Sequence, residues 1–308
     1  MRLSVVATLY RSAPYVDEFC RRASEQCRRL AGDDHEIVLV NDGSPDDSLE
    51  RAIAAMRRDP HVTVIDLSRN FGHHKAMMAG LAESRGELVF LVDSDLEEEP
   101  EWLSTFAEQM DEQRCDVVYG VQSQRKGGWF ERWSGGLFYR VFHVLTGQRI
   151  PANMVTGRLM TRAYVDALLL HEERESDIGG LWHITGFDQR PCVVRKHSTS
   201  ETTYTLRRKL SLFVNSITSF SSAPLVAMFW LGAVVAALAA AVGAWTVASW
   251  LATEEPVSGW ASLVLSVWFL GGLNLACVGL AGVYVGKVFL EVKRRPNWIV
   301  KARHRSNG

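Results

Sequence analysis

An α/β domain on a mostly parallel sheet, followed by two membrane-spanning helices, is the architecture that three features of this 308-residue sequence predict. Runs of β-forming residues alternate with helical patterns through the first two hundred positions. Several of those runs end in acidic or amide residues. Charge then disappears from two long stretches: no Asp, Glu, Lys or Arg lies between Lys209 and Glu254, or between Glu255 and Lys287.

The strand-like runs are Leu3 to Leu9, Glu36 to Val40, Val62 to Leu67, Leu88 to Val92 and Asp116 to Tyr119, and helical patterns such as Tyr15 to Leu30 and Ser48 to Arg58 separate them. Alternating β and α units at this spacing imply a sheet covered by helices. Ligands of such sheets bind beyond the carboxyl ends of the strands. At those ends stand Tyr10-Arg11-Ser12, Asn41-Asp42-Gly43-Ser44, Ser68-Arg69-Asn70-Phe71-Gly72 and Asp93-Ser94-Asp95. The last follows an apolar strand with two carboxylates one residue apart. Hard divalent cations such as Mg²⁺ or Mn²⁺ prefer such oxygen ligands and keep substrate phosphates in their shell. A lone Asp-x-Asp also serves as an ordinary turn; two acidic strand ends on one sheet, with Asp42 as the second, favour the functional reading. His73-His74 is not read as a metal site, because adjacent side chains point apart on a helix or a strand.

Leu225 to Ala252 and Val257 to Gly286 are uncharged and long enough to cross a hydrocarbon core of about 30 Å. Thr253-Glu254-Glu255-Pro256 is left as the turn between them. Arg207, Arg208 and Lys209 precede the first span, and Lys287, Lys293, Arg294, Arg295, Lys301, Arg303 and Arg305 follow the second. Basic flanks stay inside, so both termini are expected in the cytoplasm, with the domain at the inner (plasma) membrane of a multi-pass protein. Gly271-Gly272, Gly279, Gly282 and Gly286 supply small residues for helix contact and make a homo-oligomer through these helices a reasonable expectation. The expected layout is a domain over 1–204, an amphipathic juxtamembrane helix over 205–224, spans over 225–252 and 257–286, and a basic cytoplasmic tail over 287–308.

The averages hide this arrangement: 47% hydrophobic and 22% charged residues with a net charge of -1 describe an ordinary globular chain and give no basic bias toward nucleic acid. The near-neutrality is a cancellation. Residues after Lys209 carry seven Lys/Arg against three Asp/Glu, and the rest carry 27 against 32. Five scattered cysteines without metal spacing read as reduced thiols. The apolar run from Leu3 is too short for a signal segment and lacks a small-residue cleavage site.

Together these motifs resemble the family 2 glycosyltransferases of GT-A fold, specifically the dolichyl-phosphate mannose synthase-like polyprenyl-phosphate enzymes with a C-terminal membrane hairpin. The resemblance covers nearly the whole chain. It rests on Val40-Asn41-Asp42-Gly43-Ser44-Pro45-Asp46, on Leu67-Ser68-Arg69-Asn70-Phe71-Gly72 with Lys75 and Ala79-Gly80-Leu81, and on Val92-Asp93-Ser94-Asp95-Leu96 with Pro100. Val118-Tyr119-Gly120-Val121 and Ile217-Thr218-Ser219-Phe220-Ser221, followed by Pro224-Leu225, extend it. The resemblance implies inverting transfer of one sugar from a nucleotide-sugar donor to polyprenyl phosphate. It also implies that Thr8, Tyr10, Val40, Asp42 and Ser94 bind the nucleotide sugar, that Asp93 and Asp95 serve catalysis by holding Mg²⁺ or Mn²⁺, and that Arg125, Arg132 and Arg158 face phosphates.

Several positions depart from the family pattern. Thr8-Leu9-Tyr10-Arg11-Ser12 replaces a Pro-containing first loop, Gln122 stands for a common Arg, and Thr156 for a common Asp. Thr202-Thr203-Tyr204 lacks the usual Lys, for which Arg195 or Lys196 is the available substitute. Trp129 to Phe142 interleaves aromatics with Arg132 and Arg140, as an amphipathic helix packed on the sheet or an interfacial helix does. A glycosyltransferase with another acceptor and a non-catalytic membrane scaffold stay open as alternatives. A processive synthase would carry Q-x-x-R-W, which Gln189-Arg190-Pro191 does not supply.

Overall fold

A computed structural model describes residues 2–122, 153–173, 178–196, 221–253 and 259–306. They divide into two compact units, the residues up to 196 together with those from Arg295 onward, and residues 221–294.

The first unit is built on eight strands: β1 (Leu3–Leu9), β2 (His35–Asn41), β3 (Val62–Leu67), β4 (Leu88–Leu91), β5 (Val117–Gln122), β6 (Met154–Thr161), β7 (Gln189–Val194) and β8 (Val300–Arg305). Their order across the sheet is β7-β5-β6-β4-β1-β2-β3-β8. β1 pairs in parallel with β2 and β4, β2 with β3 and β5 with β7. β6 runs antiparallel between β4 and β5, and β8 antiparallel to β3. Six of the eight strands run the same way, as the sequence predicts, and the sheet is mixed only through β6 and β8, two strands that the sequence reading lacks.

Helices α1 (Val16–Ala31), α2 (Ser48–Arg58) and α4 (Trp102–Gln113) cover one face of the sheet, α3 (His73–Glu83), α5 (Arg162–Leu169) and α6 (Ile178–Ile184) the other. Alternation along β1 serves both layers: Leu3, Val5, Ala7 and Leu9 face the first, Val6 the second. α1 buries Val16, Phe19, Cys20, Ala23 and Cys27 as one stripe at helical spacing. Asp17 and Glu18 in its first turn and Arg28 and Arg29 in its last complement the helix dipole. On the opposite face Gly80 lets α3 lie directly on the sheet, since a Cβ there would stand 2.4 Å from Val6 Cγ1 and 2.9 Å from Val40 Cγ2.

The tail expected over 287–308 is also corrected. From Arg295 the chain belongs to the sheet-bearing unit, and β8 adds a strand to its edge. Val300, Ala302 and His304 are half-buried while Lys301, Arg303 and Arg305 are exposed, the alternation of an edge strand. The basic residues that read as a tail are its outward set.

The second unit contains helices α7 (Ala223–Thr253) and α8 (Trp260–Val292), of 31 and 33 residues. Both contain segments long and apolar enough to cross a membrane, Ala223–Trp245 and Ser266–Val292. Their large apolar side chains stand exposed, Trp245 at 76% and Trp268 at 78%, a surface that water disfavours and lipid does not. The Tyr284 hydroxyl donates to the Ser221 carbonyl at 2.7 Å and so joins α8 to the start of α7. The expected interfacial segment over 129–142, residues 205–220 and most of the Thr253 to Pro256 turn lie outside the described residues, as do Arg125 and Arg132.

Candidate active site

Parallel pairing sets the carboxyl ends of β1, β2 and β4 side by side, with Leu9 opposite Asn41 and Val6 opposite Leu91. With β3 beside β2, four loops leave from this end of the sheet, the first after β1, the second after β2, the third after β3 and an acidic one after β4, and short polar side chains fasten the first three to one another. Asp46 accepts from the Ser44 and Ser48 hydroxyls and from the Ala13 amide. The Ser44 and Ser48 hydroxyl oxygens in turn accept from the Arg11 and Ser12 amides at 2.7 and 2.9 Å. Burial would raise the Asp46 carboxyl, but these donors outweigh it and hold the group at about 2.

Asp42 does the same for the third loop. It is 2% exposed, and its two oxygens accept from the Phe71 amide at 2.7 Å and the Gly72 amide at 3.0 Å. Burial lifts this carboxyl above its usual value, and the two amide donors pull against that. Gly43 follows with φ +58, and a Cβ on it would meet Asn70 N at 2.5 Å and Arg69 C at 2.6 Å. Only glycine lets the second and third loops touch here.

The acidic loop after β4 carries the charge. Leu96 sits at φ 60 directly behind Asp95, a left-handed conformation costing about 1–2 kcal/mol for a residue with a Cβ. Strain of this kind concentrates at functional sites. His73, first residue of α3, spans two strand ends: Nδ1 lies 2.9 Å from Thr8 Oγ1 and Nε2 3.2 Å from Asp93 Oδ1. Lys196, two residues beyond β7, sets Nζ at 4.0 Å from Asp93 Oδ2, 3.4 Å from Glu97 Oε2 and 3.5 Å from Glu98 Oε1. Glu98 is fully buried and accepts the Thr156 amide at 3.0 Å, which ties this loop to β6.

Burial disfavours charge on every member of the cluster, and the pairings decide the outcome. Asp93 is buried, yet His73 and Lys196 hold it below the usual carboxylate range. Burial would lower His73, but contact with Asp93 raises it. Burial, then the Asp93 charge, raise Glu98 to about 7. Asp95 is half-buried and raised by burial, despite accepting the Glu97 amide at 3.0 Å.

Glu98 Oε2 is a buried atom without a hydrogen-bond partner and Asp93 Oδ1 has a contact of 3.2 Å to the His73 ring, oxygen lone pairs of the kind that a hard cation accepts. Asp93 and Asp95 fit Mg²⁺ or Mn²⁺ on this observation. Among the described residues no three His, Cys, Asp or Glu side chains form a protein-only metal cage. An ion held here takes its other ligands from phosphate and water, as Mg²⁺ commonly does.

Of the other residues named from sequence, Tyr10 is 48% exposed at the mouth of the site. Thr8 and Ser94 are buried struts: Ser94 Oγ donates to the Thr8 carbonyl at 2.7 Å. Two expectations are not met. The Val40 side chain is fully buried in the core between the sheet and α3, and its backbone is paired on both sides, with β1 and β3. Arg158 is also fully buried, its guanidinium 3.0 Å above the Trp182 ring, because alternation along β6 turns it into the layer of Tyr164 and Trp182. Burial lowers its pKa to about 9, against the neighbouring Tyr164, Glu98 and Tyr119. Sequence reasoning passed over His73, Glu97 and Glu98; the run Glu97-Glu98-Glu99 beside Asp95 was the available signal.

Acid-bearing loops at the carboxyl ends of β2 and β4, laced to the loops after β1 and β3 over an α/β sheet, fit a glycosyltransferase domain of GT-A type. Residues 4–169 match the glycosyl transferase family 2 domain, and the chain belongs to that family. A Mycobacterium tuberculosis (strain CDC 1551 / Oshkosh) protein named for glycosyltransferases is 46% identical over 301 residues, covering 98% of this chain and 88% of its own. The SfII prophage-derived bactoprenol glucosyl transferase of Shigella flexneri is 31% identical over 312 residues and covers 100% of both chains. Among solved structures, glucosyl-3-phosphoglycerate synthase from Mycobacterium tuberculosis, in complex with Mn²⁺, UDP and glucosyl-3-phosphoglycerate, aligns with a TM-score of 0.45 at 16% identity. That alignment covers 69% of this chain and 75% of the other.

Proposed function

We propose that this enzyme transfers a single sugar, with inversion, from a UDP- or GDP-sugar to polyprenyl (undecaprenyl) phosphate at the cytoplasmic face of the membrane. The observation that carries the reading is the joining, in one chain, of an acidic strand-end site to two long apolar helices. The bactoprenol glucosyl transferases that match over the full length support the lipid acceptor.

A lipid phosphate is anionic at neutral pH, its last proton having a pKa of about 6, so the nucleophile needs no general base. The protein's task is to position two anions and stabilise charge on the leaving nucleoside diphosphate. Bound by Asp93 and Asp95, Mg²⁺ or Mn²⁺ supplies Lewis-acid neutralisation of that diphosphate. Asp42 and Asp46 act one step back, fixing the backbone of the loops that face the donor. Tyr10, exposed at the site, is available to the nucleotide.

β8 supports a two-span hairpin, and the basic flanks supply its direction. This strand lies in the same sheet as β1 to β4, so the chain that leaves for α7 comes back to the same unit after α8. A hairpin of two spans permits that, and a single span does not. With basic flanks at its base, the unit lies on the cytoplasmic side. A topology reporter placed at Glu255 should read the far side of the membrane and one after Gly308 the cytoplasmic side; both on one side would exclude the hairpin.

The catalytic reading is tested with the full-length protein in detergent, a panel of labelled UDP- and GDP-sugars, and undecaprenyl phosphate. Label is expected in the lipid extract with one donor, only with the lipid phosphate present, and not in excess chelator. Transfer to a soluble acceptor would replace the lipid reading. No turnover with any donor would leave the scaffold alternative.

A further inference from the structure

We propose that Lys196 is an exchangeable counter-ion: its ammonium rests among Asp93, Glu97 and Glu98, and when donor and divalent cation bind it yields Asp93 to the cation and turns to the donor diphosphate. The inference rests on the donor-site reading above and extends it to a residue of the chain's own.

Its distances carry the argument. Tight N⁺–H···O⁻ pairs lie at about 2.7–2.9 Å. Lys196 Nζ is 3.4, 3.5 and 4.0 Å from its three carboxylates. It is therefore held by the summed field of the acids, with no single pairing to break. The lysine side chain keeps 20% of its surface exposed beside a Glu98 with none. A dication on Asp93 and an ammonium 4.0 Å from the same carboxylate repel, and one must give way. The protein-held cation is the one on a flexible four-carbon stem, a compact point charge with three donors that suits phosphate oxygens.

Among the described residues, the carboxyl groups of Asp93, Asp95, Glu97 and Glu98 stand with the basic groups of Lys196 and His73. The site as a whole repels a diphosphate until cations offset it. A resident lysine that is displaced outward places a second positive charge where the leaving group's charge grows, so the metal alone does not carry it.

The test uses full-length protein in detergent, Mn²⁺ binding by electron paramagnetic resonance, and calorimetric titration of UDP and of GDP at saturating Mn²⁺. Lys196→Met should bind Mn²⁺ alone more tightly, by about tenfold, and bind the preferred nucleotide about tenfold more weakly. Lys196→Arg should return nucleotide affinity to within about threefold of the native protein. The opposite signs are the signature of exchange. Weakening of both affinities in Lys196→Met shows a lysine that only assembles the site, and unchanged affinities a bystander; each overturns the proposal. Native protein that binds neither nucleotide with Mn²⁺ overturns the donor-site reading itself, whereas native binding with the wrong pattern in Lys196→Met overturns the counter-ion alone.

Discussion

Alanine in place of Asp93 or Asp95 is expected to lower kcat/KM for sugar transfer by about 10³-fold or more, a loss of about 4 kcal/mol of transition-state stabilisation. The fold should survive, with Tm in circular dichroism or scanning calorimetry moving by no more than about 3 °C. Against its contacts to His73 at 3.2 Å and Lys196 at 4.0 Å, Asp93 adds a desolvated charge and repulsion among neighbouring carboxylates. Removing it frees the protein of both. Lys196 retains Glu97 and Glu98, and His73 retains Thr8. Asp95 loses one contact, to the Glu97 amide, worth about 1 kcal/mol. A change this small in stability beside a large loss of rate separates a site residue from a core residue. Full activity in both variants, or native activity in excess chelator, would sink the assignment.

The Asp93 loop was legible because an apolar strand running into Asp-Ser-Asp is a local signal. So were β1 to β5, whose β-forming runs are bounded by turn residues. The strands that were missed hide for identifiable reasons. β6 carries Gly157 and Arg158 in mid-strand, and Arg158 reads as a surface ligand although alternation turns it inward onto Trp182. β8 alternates Val300, Ala302 and His304 with Lys301, Arg303 and Arg305, and so many bases beside a membrane span read as a tail. His73 was dismissed on the ground that adjacent histidines diverge; they do, with rings 6.0 Å apart, and that divergence lets His73 reach Thr8 and Asp93. The family pattern assigns Asp42 to the nucleotide, and in the fold its two oxygens also accept the Phe71 and Gly72 amides. A motif carries the residue type but not whether that residue meets the ligand or holds the loop that does.

Ending the chain after Arg294 is expected to lower the Tm of the sheet-bearing unit by about 5–15 °C and to weaken donor binding as well. Without β8, β3 becomes an open edge, and Trp298 and Val300 no longer pack on the layer that includes α3. Burying one such side chain is worth about 1.5–3 kcal/mol when complete; two that are partly buried give about 2–4 kcal/mol, or about 2–4 °C each for a unit of this size. The ion pairs add less. Lys301 to Asp66 at 3.3 Å and Arg303 to Glu83 at 2.6 Å join exposed bases to a buried and a half-buried carboxylate, and with the basic partner in water such a pair gives on the order of 1 kcal/mol. The effect on binding comes through the third loop. The Ser68 amide donates to the Ile299 carbonyl at 2.9 Å at the start of the loop whose far end Asp42 holds. Asn297 and Trp298 also wall a cavity of about 300 Å³ against His73 and His74. Truncation therefore frees one anchor of the loop and one wall beside His73, the residue that touches Asp93. The double variant Arg303→Ala, Lys301→Ala keeps the strand and should shift Tm by no more than about 4 °C. If it reproduces the truncation, the tail is held by charge and the strand pairing is incidental; if the truncated protein melts at the native temperature, β8 is not part of the folded unit.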